Sequence, residues 1–313
     1  MTSAGRFAPS PSGALHVGNL RTAMLAWLFA RSSGRRFFLR IEDLDRTRAG
    51  AEAQQLRDLH AVGVTWEGPV VRQSEREPRY DAVIEDLASS GLVYECYCTR
   101  REIQDAPTAP HAPQGAYPGT CRDLSTAERE IRRATRPAAI RLRSEANEWT
   151  VSDVLHGHFT GVVDDFVLRR NDGVAAYNLA VVVDDAQQGI DQVVRGDDLL
   201  SSTPRQAYLA SLLGYLAPEY AHVPLVVNDD GARLAKRDGA VTLDDLAAVG
   251  LSADEVRDLI LASLKLPPGP LEAALAVFDA SALGNIPETR KPWVWDPRHG
   301  VLHAKLIEGK GTR

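Results

Sequence analysis

The sequence has few cysteines, no long apolar run and no excess of positive charge, and each absence excludes a class of protein. Only three cysteines occur among 313 residues, and an odd number without an export signal argues against a disulfide framework. No apolar run approaches the roughly 18 residues of a membrane span. The first ten residues, MTSAGRFAPS, lack the apolar region of a signal peptide. We therefore expect a cytoplasmic protein with no membrane partner.

The overall charge is moderately acidic. The chain has 36 Lys and Arg residues against 42 Asp and Glu residues, which gives a formal net charge of −6. This balance does not indicate a nucleic-acid-binding protein, but a local basic face can contact phosphates on an acidic chain. The hydrophobic fraction of 44% is ordinary for a globular protein with a buried core.

The first 91 residues have the periodicity of an α/β fold. GRFAP and RFFLRIED have the composition of short strands, whereas AEAQQLRDLHAVG and EPRYDAVIEDLASSG have the apolar spacing of helices. Alternating strands and helices are typical of a parallel sheet. We therefore predict that residues 1–91 form the first half of a Rossmann-like parallel-sheet domain.

This alternation stops at about residue 92 and resumes near residue 174. Residues 92–173 contain the cysteines, a proline-rich loop and the strand-like segments AAIRLR, HFTGVV and DFVLRRNDGV, which predict an inserted α+β module. Residues 174–241 are expected to complete the parallel-sheet domain, and residues 242–282 to form a short helical region. Residues 283–313 have no clear periodicity, and we expect a mobile or loosely docked tail.

The segment RFAPSPSGALHVGNL joins a predicted strand, a tight turn and the start of a helix. The N–H groups and the dipole at a helix N-terminus favour a bound phosphate. Gly13 and Gly18 would let the backbone bend and let a ligand approach closely. His16 can donate a hydrogen bond to a phosphate oxygen. The alternative is an ordinary loop that leads into a core helix.

A second segment, GARLAKRDGAV, places three cationic side chains on a glycine-flanked loop after a predicted strand. These residues are Arg233, Lys236 and Arg237. Cations above a triphosphate suit a transition state that gathers charge on phosphorus. The alternative is a solvated basic turn.

Together these segments resemble the class I aminoacyl-tRNA synthetases of the glutamyl type. RFAPSPSGALHVGN is similar to their His-Ile-Gly-His region, with Asn19 at the last histidine. RLAKR occupies the place of their Lys-Met-Ser-Lys-Ser loop, with Ala235 and Arg237 in place of serines. RIEDLDRTR and VVVDDAQQGIDQVVRGDDLLSSTPRQ are similar to intervening blocks, so the resemblance extends over about residues 5–265.

The resemblance implies ATP, bound with Mg²⁺, as a substrate. It implies that the parallel-sheet domain is the catalytic domain, with His16 and Lys236 as catalytic residues. The implied ATP-binding residues are Gly13, His16, Gly18, Asn19 and Lys236.

The resemblance also implies a site for L-glutamate, which has two carboxylates and one ammonium group. Such a ligand needs guanidinium groups and one anion in fixed positions. Glu42 would bind the ammonium, and Arg6 and Arg195 would face the carboxylates. The implied set is Arg6, Phe7, Ala8, Pro9, Ser10, Glu42, Tyr177 and Arg195. Without the resemblance, Glu42 also fits an ordinary strand-end turn and Arg195 a surface salt bridge.

The three cysteines, Cys96, Cys98 and Cys121, are clustered in a way that suits one tetrahedral zinc ion. The resemblance implies Tyr117 as the fourth ligand, whereas His111 is a more usual donor and Asp123 is also possible. We expect a structural zinc ion, because a closed cysteine-rich site leaves no open position for a substrate. The alternative is three unrelated thiols.

The chain lacks the long C-terminal anticodon-binding region of full glutamyl-tRNA synthetases. It is similar in this to the shortened branch that glutamylates queuosine in tRNA(Asp). This implies formation of glutamyl-adenylate and transfer of glutamate to the queuosine base in the anticodon. Two alternatives are a shortened glutamyl-tRNA synthetase that charges the tRNA 3′ end and a non-catalytic RNA-binding paralogue. We expect a monomer, although the sequence does not determine the oligomeric state.

Overall fold

The structure is a computed structural model that describes residues 3–104, 117–232, 234, 241–283 and 291–296. Its strands are β1 (Ala4–Phe7), β2 (Arg36–Ile41), β3 (Val71–Arg72), β4 (Val93–Cys96), β5 (Ala139–Leu142), β6 (Glu148–Asp153), β7 (Gly157–Val162), β8 (Val167–Arg169), β9 (Ile190–Gly196), β10 (Glu219–Val223), β11 (Val226–Val227) and β12 (Trp293–Val294). Its α-helices are α1 (Val17–Ser32), α2 (Ala51–Ala61), α3 (Glu77–Ser89), α4 (Arg100–Gln104), α5 (Thr126–Arg133), α6 (Tyr177–Gln188), α7 (Thr203–Leu212), α8 (Leu243–Ala248), α9 (Ala253–Ser263), α10 (Leu271–Leu275) and α11 (Ala280–Leu283).

Seven of these strands form a central sheet in the order β3-β2-β1-β9-β10-β6-β7. The neighbours from β3 to β6 run parallel, and the β6–β7 hairpin at one edge is antiparallel. This arrangement confirms the predicted Rossmann-like α/β fold. Because parallel strands end at the same edge of a sheet, the residues that follow β1, β2 and β9 lie together there.

Helices cover both faces of the central sheet. Neighbouring residues of a strand point to opposite faces, and β9 shows this directly. Val194 packs in the apolar cluster around α1, whereas Val193 packs with Ala207 of α7. In α1, 12 of the 16 residues are buried, as expected for a helix that is apolar on all sides and lies inside the core. Helices α8, α9 and α10 complete the cluster around α1.

The stretch 92–173 is divided between two sheets, which differs from the prediction of one separate α+β insert. Strands β4, β5 and β8 form an antiparallel sheet of their own. The β6–β7 hairpin instead joins the central sheet beside β10. The physical reason is that Trp149, Val151 and Phe159 of this hairpin pack into the apolar cluster that contains Ala207 of α7.

Part of the predicted tail is docked on the domain. Trp293 and Val294 pair in parallel with Val226 and Val227 of β11, and Trp295 is buried in the cluster around α1. Residues 284–290 and 297–313 lie outside the described residues. Among the helices that the structure describes, none has both the length and the apolar character needed to cross a membrane.

Candidate active site

The strand ends of the central sheet and the first turn of α1 surround a cavity of about 410 Å³. Every predicted nucleotide- or glutamate-binding residue that the structure describes lines this cavity. They are Arg6, Phe7, Ala8, Pro9, Ser10, Gly13, His16, Gly18, Asn19, Glu42, Tyr177 and Arg195. Lys236 and its neighbours Arg233, Ala235 and Arg237 lie outside the described residues.

His16 is the N-cap residue of α1, where its side chain is fixed by the helix backbone. Its Nδ1 accepts a hydrogen bond from the backbone N–H of Asn19 at 3.3 Å, and Oδ1 of Asn19 accepts one from the N–H of His16 at 3.1 Å. Since Nδ1 accepts, the proton of a neutral ring is on Nε2, which is then a donor. Asn19, which stands where the family pattern has a histidine, therefore helps to fix the orientation of His16.

Gly18 is required for this arrangement because a side chain there would collide with His16. A Cβ at Gly18 would lie 2.9 Å from Cε1 of His16 and 3.2 Å from Cβ of Val226. Gly13 differs, because a Cβ there would meet nothing within 4 Å. Its lack of a side chain leaves space in the cavity itself.

The residues on either side of the segment 235–240 contact α1 or the residues at its start. Leu234 is buried in the cluster around α1. On the other side, the backbone N–H of Val17 donates to the carbonyl of Val241 at 2.9 Å, and His16 forms an isolated antiparallel bridge with Thr242. The chain is therefore attached beside His16 immediately after the segment that contains Lys236.

Gln55 of α2 supports the loop before α1, and the sequence analysis did not identify it. Its Nε2 donates to the carbonyls of Ser10 at 3.0 Å and Gly13 at 2.7 Å. Gln55 is 2% exposed. The available signal was its position four residues before Leu59, on the apolar face of a predicted amphipathic helix.

The predicted glutamate-binding side of the cavity has two buried cations and one nearly buried anion. Arg6 is 4% exposed and Arg195 is 5% exposed, so the alternative of a surface salt bridge for Arg195 is wrong. The side chain of Glu42 is 13% exposed. Its backbone N–H donates to the carbonyl of Pro9 at 2.9 Å, and Oγ of Ser10 donates to its carbonyl at 3.0 Å.

Arg40 of β2 connects Glu42 and Arg6. Its NH1 donates to Oδ1 of Asp185 at 2.8 Å, and its NH2 donates to Oε1 of Glu42 at 3.3 Å. Nε of Arg6 donates to the same Oδ1 of Asp185 at 3.2 Å. Arg40 therefore contacts the anion of the site directly and holds the cation Arg6 through Asp185. Neither Arg40 nor Asp185 was predicted, although the position of Arg40 inside the apolar run RFFLRI is a signal for such a role.

This network shifts the acidity of its two carboxyl groups in opposite directions. Burial raises the pKa of Glu42, and attraction to Arg40 and Arg6 offsets only part of that rise. Burial would also raise the pKa of Asp185, but Arg6 and Arg40 together hold it below its usual range. Asp185 is therefore a fixed anion, and Glu42 is a carboxylate that a cationic ligand group would stabilise.

The three cysteines lie together beside β4, as the spacing predicts. The Sγ atoms of Cys96, Cys98 and Cys121 all lie within 4.8 Å of one another, so the three thiols form one cluster. The hydroxyl of Tyr117 lies 3.3 Å from Sγ of Cys96 and 3.8 Å from Sγ of Cys98. One oxygen and three sulfur atoms at these separations fit a single tetrahedral ion.

The other two candidates for a fourth ligand have different positions. The side chain of Asp123 is 81% exposed and pairs with Arg143 at 2.9 Å, which favours Tyr117 over Asp123. His111 lies outside the described residues.

Comparison with known proteins identifies the family. Residues 4–265 match the family described as tRNA synthetases class I (E and Q), catalytic domain. The chain belongs to this family. It is therefore a ligase with the chemistry of aminoacyl-tRNA synthetases, as the resemblance of its motifs predicts.

Individual relatives agree with this assignment. This synthetase is 65% identical over 292 residues to a protein of Nocardia farcinica named glutamyl-Q tRNA(Asp) synthetase, with 93% of this chain and 92% of the relative covered. A protein of the same name from Cutibacterium acnes is 54% identical over 270 residues, covering 85% and 77% of the two chains. Among solved structures, a glutamate tRNA ligase from Elizabethkingia meningosepticum, in complex with its amino acid, has a TM-score of 0.81 and 25% identity, covering 98% of this chain and 69% of that chain.

The synthetase has a second, larger cavity of about 840 Å³ next to the first. Ser10, Glu42 and Tyr177 line both cavities. The wall of the second cavity also includes the cysteine cluster through Cys96 and Cys98 and the side chains Arg100, Arg136, Arg141 and Arg170. Asp45 and Asp172 also line it and pair with Arg170, so a ligand in this space would lie against both basic and acidic side chains and next to the contents of the first cavity.

The buried network around Arg40 predicts a large effect on stability. Arg40→Leu leaves Asp184 and Asp185 buried without this cation, so we expect the free energy of unfolding to fall by about 3–5 kcal/mol. Urea denaturation would measure it. The control Arg169→Leu breaks a largely exposed pair with Asp81 and should cost less than about 1 kcal/mol. Equal losses in the two variants would contradict the role given to Arg40.

Proposed function

We propose that this synthetase activates L-glutamate with MgATP and transfers it to queuosine in the anticodon of tRNA(Asp), in the cytoplasm. The observation that carries the proposal is that two buried guanidinium groups, those of Arg6 and Arg195, line the same cavity as the Glu42 carboxylate and the start of α1. The names of the relatives from Nocardia farcinica and Cutibacterium acnes support queuosine as the acceptor.

The charges of the first cavity match those of glutamate. Glu42 binds the ammonium group, and Arg6 and Arg195 each face a carboxylate, because guanidinium groups make directional hydrogen bonds to carboxylates. Tyr177 and the segment 7–10 form the remaining walls. Aspartate is one methylene shorter, so its side-chain carboxylate would not reach the same cation.

The same cavity suits the adenylation step. An oxygen of the α-carboxylate of glutamate attacks the α-phosphorus of ATP, and the bond from that phosphorus to pyrophosphate breaks. No protein nucleophile is needed, so the protein aligns the reactants and stabilises charge. In the proposal His16 donates from Nε2 to a phosphate oxygen, and Lys236 supplies a positive charge. Gly13, Gly18 and Asn19 support the phosphates at the start of α1.

The second cavity provides space for the acceptor. A hydroxyl of the queuosine base attacks the carbonyl carbon of the mixed anhydride, and AMP leaves. The second cavity shares three wall residues with the first, which supports an acceptor bound next to the activated carboxyl. Its arginines suit the phosphates that flank the modified nucleotide.

We propose that Cys96, Cys98, Cys121 and Tyr117 hold one zinc ion. The separations of their four ligand atoms fit such an ion, and a zinc ion bound there would join β4 to the residues after 117. With four protein ligands it would have no open position, so its role would be structural. The module that it stabilises forms part of the wall of the second cavity.

The acceptor is tested by following labelled glutamate onto RNA. We expect transfer to tRNA(Asp) that carries queuosine and none to the same tRNA without it. A matched substrate that lacks the 3′-terminal adenosine should be labelled equally well, because the proposed acceptor is in the anticodon.

Each alternative function predicts a different result in these assays. Labelling that requires the terminal adenosine would indicate a shortened glutamyl-tRNA synthetase. Absence of glutamate-dependent exchange of labelled pyrophosphate into ATP, with or without tRNA, would indicate a non-catalytic paralogue.

The raised pKa of Glu42 predicts how glutamate affinity varies with pH. The carboxylate must be ionised to bind an ammonium group, so the KM for glutamate should rise as pH falls through the pKa of Glu42. That pKa lies above the usual value, so the rise should be visible at pH values above the pKa of the free glutamate side chain, where that group of the substrate stays ionised.

The matched variant is Glu42→Gln, which has nearly the same shape but does not titrate. We expect it to raise the KM for glutamate throughout this pH range and to remove the pH dependence. Pyrophosphate exchange at several pH values would measure both effects. A wild-type KM that does not change with pH would contradict the role of Glu42.

The metal site predicts a defined zinc content. Protein purified without added zinc should contain about one zinc ion per chain, measured by elemental analysis. Cys121→Ser should lose the ion, and Tyr117→Phe should release it faster to a chelator. Asp123→Asn should behave as wild type. Zinc retention that depends on Asp123 but not on Tyr117 would contradict the proposed ligand set.

A further inference from the structure

Arg195 forms a hydrogen bond with a buried histidine that has no role in the proposed function. His222 of β10 lies directly opposite Arg195 of β9 in the parallel ladder. His222 is fully buried. Its Nε2 lies 3.0 Å from Nε of Arg195, and its Nδ1 lies 2.6 Å from Oδ2 of Asp153.

These contacts determine where the imidazole carries its proton. The guanidinium group of Arg195 is a donor and has no lone pair to offer, so Nε2 of His222 must be the acceptor. The ring proton is therefore on Nδ1, from which it is donated to the carboxylate of Asp153. A ring protonated on Nε2 would turn a donor toward a cation.

A second contact fixes the same guanidinium group. Its NH2 donates to Oγ1 of Thr203 at 2.8 Å. The remaining nitrogen, NH1, lies 3.4 Å from the hydroxyl of Tyr177, and both residues line the first cavity. Two nitrogens of Arg195 thus have buried partners, while the third, NH1, is directed toward Tyr177 at the cavity wall.

Asp153 belongs to the β6–β7 hairpin and is anchored by the backbone. Its Oδ1 accepts from the N–H groups of Leu155 and His156 at 2.9 and 3.0 Å, and its Oδ2 accepts from the N–H of His222 at 3.0 Å. The hairpin that joins the central sheet therefore provides the carboxylate that selects the tautomer of His222.

The surroundings of His222 favour the neutral ring. Burial lowers its pKa, and Arg195 and His156 lower it further, while Asp153 acts in the opposite direction. Burial would raise the pKa of Asp153, but hydrogen bonds from His222 and from the backbone bring it below its usual value. A neutral imidazole between an anion and a cation can donate to the first and accept from the second.

We propose that His222 is a positioning residue for glutamate binding, in which its Nδ1-protonated tautomer, selected by Asp153, accepts from Arg195 and aims that guanidinium group at a ligand carboxylate. The identity of the ligand rests on the proposed function, whereas the tautomer does not. A role in packing alone would require neither a particular tautomer nor an acceptor at Nε2.

Nitrogen-15 NMR of histidine-labelled wild-type protein tests the tautomer directly. At neutral pH we expect the chemical shifts of His222 to show a protonated Nδ1 and an unprotonated Nε2. Protonation at Nε2, or at both nitrogens, would overturn the proposal. His222→Gln and His222→Asn would assign the signal by its disappearance.

The same two variants test the effect on binding, because they keep different parts of the imidazole. The carbonyl of Gln reaches the place of Nε2 and can accept from Arg195, whereas Asn is too short and keeps only the contact with Asp153. In pyrophosphate exchange we expect His222→Asn to raise the KM for glutamate by about 10- to 100-fold, as for loss of a hydrogen bond to a charged group. The KM for ATP should change by less than about twofold, because only glutamate binding is affected.

His222→Gln should retain most of the wild-type affinity for glutamate, and His158→Asn, an exposed histidine of β7, should match wild type. Equal losses in the Gln and Asn variants, or parallel changes in both KM values, would overturn the positioning role. If wild-type protein shows no glutamate-dependent exchange, the proposed function fails, and the nitrogen chemical shifts still decide the tautomer.

Discussion

The site depends on the ion pairs that the buried guanidinium group of Arg40 forms with nearby carboxylates. This group lies where a charge is costly, and it is stable there because carboxylates on two elements surround it. Burial alone would lower the pKa of Arg40, but Asp185, Glu42 and Asp184 raise it above its ordinary value. The same contacts hold Glu42 at one side of the cavity and, through Asp185, Arg6 at the other. The charge pattern proposed to recognise glutamate is therefore built around a cation that does not touch the ligand.

The parallel sheet explains how distant segments of the sequence come together. Arg6, Glu42 and Arg195 lie at or just beyond the ends of β1, β2 and β9, which finish at one edge. Each of these side chains is held by a neighbouring residue: Arg6 by Asp185 of α6, Glu42 by Arg40 two residues earlier in the chain, and Arg195 by His222 of β10. A loss at one of these supports is therefore expected to affect ligand binding as well as the fold.

Much of the fold could be predicted from local patterns. Apolar periodicity identifies α2 and α3, and the predicted helical region 242–282 contains α8, α9 and α10. The residues that line the first cavity could be proposed only because the motifs resemble a family, since Glu42 and Arg195 alone fit ordinary surface positions equally well. The cysteine spacing was more specific, because three thiols close in sequence have few other uses.

The remainder depends on pairings that a single sequence does not reveal. The β6–β7 hairpin joins the central sheet because Val151 and Phe159 pack near α7, and nothing in the local sequence selects that partner. Likewise, Asp153 and His222 are 69 positions apart, so their contact is a property of the tertiary structure. Arg40 was a detectable omission, since it is a charge within the apolar run RFFLRI.

The central claim is that one cavity binds the amino acid by Glu42, Arg6 and Arg195 and the nucleotide by the start of α1. A crystal structure with a non-hydrolysable glutamyl-adenylate analogue is the most direct measurement. We expect the ammonium group on Glu42, the side-chain carboxylate on an arginine that lines the cavity, and the phosphate mimic within hydrogen-bond distance of Nε2 of His16. An analogue bound elsewhere, or bound with its ammonium group away from Glu42, would contradict the account.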